Sequence, residues 1–146
     1  MTKLIIGSLE TCDLPELNIF DLQIRVDTGA KTSSLHVDEI QKERREGKLG
    51  VSFTLHPDIY DVDVKTRCWA PISDVRRIKS SNGAVDQRLI IKTKMIMSTV
   101  EKEIEITLSN RSDMSYLMLL GREGMGSDFL VDPSQTFIIS DVTDVT

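Results

Sequence analysis

The chain contains no run approaching the ~20 consecutive apolar residues of a membrane span, and its opening apolar stretch, Leu4-Ile5-Ile6, is too short for a signal-peptide core. The expectation is a soluble, cytoplasmic protein with no membrane partner. Positive charge is also in deficit. Lys and Arg number 18 against 23 Asp and Glu, a net charge of -5, so nucleic acid has no whole-chain attraction to exploit. Cys12 and Cys68 are the only cysteines, far apart in a chain without secretory features, and are expected as reduced thiols. His36 and His56 are the only histidines, and no His-Glu-x-x-His pattern exists. A closed zinc site would need both histidines, Cys68 and a carboxylate to converge, so no metal is expected. The Gly121-Arg122-Glu123-Gly124-Met125-Gly126 run lacks the lysine and spacing of a phosphate cradle, which leaves ATP without a motif and the chain without an expected cofactor. Repeats and Pro-rich linkers are absent too, and 146 residues suit a single domain spanning 1–146 better than two lobes.

Alternation and β-branched residues are what the chain does have. Residues 22–26, 51–55, 88–93 and 103–108 all read as strands, so the chain is mainly β. Asn82-Gly83 supplies the positive φ angles of a tight turn, which predicts a long hairpin from about Val64 to Met97. Residues 38–50 are rich in charge and poor in apolar side chains, and read as a solvated loop or short helical excursion. Residues 116–120 form a compact apolar run, expected as a buried strand entering a turn or short helix at Gly121. Phe129-Leu130-Val131 then leads past a break at Pro133 into a final strand at 136–139, and 141–146 reads as a fraying acidic tail. Trp69 and Met95-Ile96-Met97 are assigned to the core.

Directly after the strand ending at Val26 stands Asp27-Thr28-Gly29-Ala30. On a tight turn Gly29 lets backbone come close and Thr28 can hydrogen-bond to a neighbouring loop, so Asp27 is the candidate catalytic acid. The triplet is short, and an ordinary turn with an Asp cap competes with that reading. A second element, Leu117-Met118-Leu119-Leu120-Gly121-Arg122, follows about ninety residues downstream. Together with the intervening hairpin the two resemble the retropepsins. A closer resemblance is to a bacterial group of small retropepsin-like proteins labelled ATP-dependent zinc proteases, some of which accompany an ATP-grasp glutamate ligase that modifies a ribosomal protein. It rests on residues 26–36 (VDTGAKTSSLH), on Asn110-Arg111 with Met114 and Tyr116 before Leu119-Leu120-Gly121-Arg122, and on Phe129-Leu130-Val131-Asp132-Pro133.

The resemblance implies the acid protease fold: a retropepsin-like closed β-barrel, single-lobed, with a flap hairpin and one short C-terminal helix. It also implies a homodimer cleaving a peptide or protein substrate. Two carboxylates about 3 Å apart cannot both ionise, so one copy of Asp27 would hold a proton while the other takes one from water. Across a twofold axis a single residue fills both roles. Thr28 would link the two turns, Gly29 and Ala30 would meet the substrate backbone, Ser81, Asn82 and Gly83 would form the flap tip, and Gly121 and Arg122 would support the site structurally. Viral retropepsins carry an acid after the alanine, which pairs with the Gly-Arg arginine; here that position is Lys31. Arg122 is then expected to find another acid, and Glu123 or another acid to compensate Lys31. A non-catalytic peptide- or protein-binding module on the same fold, and a metal-dependent protease as the group's label suggests, are the alternatives.

Overall fold

Strand-forming alternation accounts for nearly every element. In the computed structural model, which describes residues 3–56, 65–79, 83–110 and 116–139, the chain runs β1 (Leu4–Ile6), β2 (Leu9–Leu14), a 3-10 turn at Pro15–Leu17, β3 (Ile19–Val26), β4 (Ser33–His36), β5 (Asp38–Arg45), β6 (Lys48–Leu55), β7 (Thr66–Lys79), β8 (Val85–Met97), β9 (Val100–Ser109), β10 (Met118–Leu120), α1 (Arg122–Met125) and β11 (Phe129–Val131). Strands β2, β3, β10, β4, β9 and β8 follow one another around a ring that closes where Asp13 of β2 meets Ile96 of β8. The result is the expected mainly β fold with a closed barrel, here of six strands, and among the described residues one short α-helix. Closure leaves no open edge within the ring. Leu14, Ile24, Leu35, Ile91, Met95, Ile106, Met118 and Leu120 fill its interior, each fully buried aliphatic side chain contributing roughly 1.5–3 kcal/mol.

From β8 the sheet continues outward through β7, β6 and β5. The long hairpin is the β7–β8 pair, in register down to Lys79 opposite Val85. Residues 38–50 are neither loop nor helix but the β5–β6 hairpin, with Arg45 opposite Lys48 and positive φ at both turn residues, Glu46 (52°) and Gly47 (81°). An edge strand needs no apolar face, and its charges discourage further strand pairing, which is why composition alone misleads there. Trp69 of β7 lies over Gly50 of β6, where a Cβ would fall 2.2 Å from the ring, and its Nε1–H donates to the Glu43 carbonyl at 2.9 Å.

The expected last strand at 136–139 is also corrected. Phe137 has φ 52° and residues 137–139 turn; among the described residues the final strand is β11, which pairs in parallel with β1 through Leu4–Phe129, Ile5–Leu130 and Ile6–Val131. The buried Glu10 carboxylate accepts N–H bonds from Gly7 at 2.8 Å and Ile138 at 3.1 Å. That bond supplies Ile138 with the partner a strand would have given it. Cys12 and Cys68 are free and buried. Burial, helped by the Asp13 charge, pushes the Cys12 thiol up to about 12; burial pushes Cys68 up to about 11 against the opposing pull of Arg67. Both stay protonated and unreactive at neutral pH. Among the described residues no helix is long and apolar enough to cross a membrane.

Candidate active site

The barrel places two chain turns against each other. β10 pairs in parallel with β3, Leu120 beside Val26, and antiparallel with β4, Leu119 beside Ser34. The strand ends therefore deliver Asp27 and Gly121 to the same spot. Asp27 N–H donates to the Leu120 carbonyl at 2.9 Å, and Ala30 N–H closes onto the Asp27 carbonyl at 3.2 Å. Gly29 N–H donates to Asp27 Oδ1 at 3.0 Å, a side-chain turn of the kind Asp favours. Among the described residues nothing hydrogen-bonds Oδ2, and Asp27 is half-buried. One carboxylate oxygen is thus held while the other is available for chemistry.

The second turn braces the first. Arg122 N–H reaches the Ala30 carbonyl at 2.8 Å and Glu123 N–H the Lys31 carbonyl at 3.0 Å. Gly121 N–H donates to the buried Ser33 Oγ at 3.0 Å. Arg122 Nη1 donates to the Thr28 carbonyl at 2.9 Å. Each such bond contributes only about 1 kcal/mol net, but together they fix the carboxylate's backbone from both sides. Gly121 is required here: a Cβ would lie 2.4 Å from the Thr32 carbonyl oxygen.

A family model described as retropepsin-like aspartic endopeptidase RimB matches residues 5–141. The chain belongs to the RimB-like retropepsin family. Curated relatives of this chain carry the name "Probable alpha-L-glutamate ligase". The protein from Shewanella halifaxensis is 44% identical over 98% of this chain and 31% of its own length. The one from Desulfotalea psychrophila is 43% identical over 98% and 31%, and the one from Parasynechococcus marenigrum 38% identical over 96% and 30%. The chain therefore spans about a third of the curated relatives it matches. The crystal structure of Lpg0085, a Legionella pneumophila protein of unknown function, superposes with a TM-score of 0.77 at 25% identity, covering 94% of this chain and 99% of that one.

Within this RimB-like barrel, Asp27, Thr28, Gly29, Ala30, Gly121 and Arg122 come together, as the family resemblance implies. Of the flap-tip residues, Ser81 and Asn82 fall outside the described residues, as do Arg111 and Met114 of the family motif. Gly83 is exposed with φ +87° at the β7–β8 turn and shares no hydrogen bond with the Asp27 turn. Lys31 Nζ meets Glu123 Oε1 at 3.8 Å, the expected compensation in a loose form. Arg122 departs from expectation. Its side chain is exposed, and among the described residues it takes a carbonyl where an acid was expected. Ser33 carries no signal in the sequence beyond a small hydroxyl opening a buried strand. Among the described residues no three His, Cys, Asp or Glu side chains cluster as metal ligands.

Proposed function

We propose that the chain is one protomer of a homodimeric aspartic peptidase that hydrolyses amide bonds in peptides bearing glutamates of the kind a glutamate ligase adds. The observation that carries it is the half-buried Asp27, with Oδ1 tied to Gly29 N–H on a turn braced from both sides. One carboxylate cannot serve as both base and acid, whereas two facing copies sharing a proton can. The ionised copy takes a proton from water as its oxygen bonds to the carbonyl carbon. The protonated copy hydrogen-bonds the developing oxygen, and the C–N bond then breaks with a proton passing to the amine. The substrate class is supported by the relatives, in which a stretch similar to this whole chain lies within proteins named for glutamate ligation. A hydrolase joined to a ligase is suited to reversing or trimming what the ligase makes.

The test is cleavage of a glutamate-tailed peptide at falling protein concentration. Activity per chain drops once the dimer dissociates, and excess Asp27→Asn chain quenches the remainder by forming mixed dimers. Activity per chain that is unchanged in a demonstrably monomeric sample contradicts the proposal.

A further inference from the structure

Two cations stand on the rim of the Asp27 turn. Lys31 is four positions after Asp27 and Arg122 opens α1, and both side chains are exposed. The backbone bonds that fix the turn also fix their anchor points, since Arg122 N–H is bound to Ala30 and the Lys31 carbonyl accepts Glu123 N–H. Of the five donors on a guanidinium, Arg122 commits Nη1 to the Thr28 carbonyl; among the described residues no acid pairs with it. Among the described residues Lys31 has one counter-charge, Glu123, at 3.8 Å, with side chains 74% and 51% exposed. So long and solvated a pair is readily exchanged for another carboxylate.

We propose that Lys31 and Arg122 form a carboxylate-binding pair that selects acidic side chains next to the bond presented to Asp27. The inference rests on the reading of the chain as a peptidase of glutamate-bearing peptides and names how that substrate is recognised. Arg122 offers a planar fork suited to a carboxylate and Lys31 a mobile point charge. The chain as a whole is negative, at -5, so attraction of an acidic peptide must come from local charge. In a twofold dimer the pair occurs on both sides of the two Asp27 residues, matching a substrate with acids on both sides of the cleaved bond. Glu123 then acts as an internal competitor that the substrate displaces.

The test uses the uncleaving Asp27→Asn dimer and fluorescein-labelled hexaglutamate and hexaglutamine peptides, with anisotropy at low salt. Hexaglutamate binds about tenfold tighter or more; Lys31→Glu removes that advantage, and Glu123→Gln strengthens it. Lys31 is exposed, so the variant folds, as circular dichroism will verify. Equal binding of the two peptides, or an advantage that survives Lys31→Glu, overturns the pair. Failure of the underlying reading looks different: hexaglutamate bound through Lys31 but never cut by the unsubstituted dimer removes the peptidase reading alone. Indiscriminate cutting of both peptides removes the pair alone.

Discussion

In the proposed homodimeric peptidase, Asp27→Asn is expected to lower the rate of peptide cleavage about a thousandfold or more, the scale on which positioned acid–base groups act, while the dimer and its melting temperature change little. Asparagine keeps an acceptor oxygen for Gly29 N–H, now 3.0 Å from Oδ1, and leaves the backbone bond from Asp27 N–H to Leu120 untouched. What it loses is the ability to take and return a proton. A turnover assay paired with analytical ultracentrifugation separates the two effects. Full activity in the variant would show that another group performs the acid–base step.

Gly121→Ala carries the largest expected cost to the fold. The added Cβ would lie 2.4 Å from the Thr32 carbonyl oxygen and 2.5 Å from its carbon. Both are backbone atoms of the segment entering β4, so relief requires the two turns to separate. The cost is about 3 kcal/mol or more, read from urea unfolding, and the surviving folded fraction loses the brace on Asp27. Gly47→Ala is the control. It has open space around it but φ +81°, so it costs only about 1 kcal/mol, from backbone strain alone. If the two variants unfold at the same urea concentration, the packing of Gly121 against Thr32 is not what holds the site.

Much of the barrel was legible because its strands alternate or run apolar: residues 22–26, 51–55, 88–93 and 103–108 all lie within observed strands. The meeting of Asp27 with Gly121-Arg122 was legible only through family resemblance, since nothing in the residues alone says that chain segments about ninety positions apart share a sheet. The failures have definite physical causes. At 38–45 the strand lies on an exposed edge, so no burial shapes its composition. At 136–139 apolar residues suggested a strand, but the left-handed Phe137 and the capture of Ile138 N–H by Glu10 replaced the ladder with a turn. The partner of Arg122 is not legible because a main-chain carbonyl, that of Thr28, takes the place of an acid, and carbonyls leave no mark in a sequence.

Both the chemistry and the substrate reading depend on two copies of Asp27 meeting. The most direct measurement is a crystal structure of the dimer and the separation of its two Asp27 carboxylates. The account predicts hydrogen-bonding distance, about 3 Å, where the pair shares one proton. Two Asp27 side chains on remote faces of the dimer, too far apart to share a proton, would contradict it.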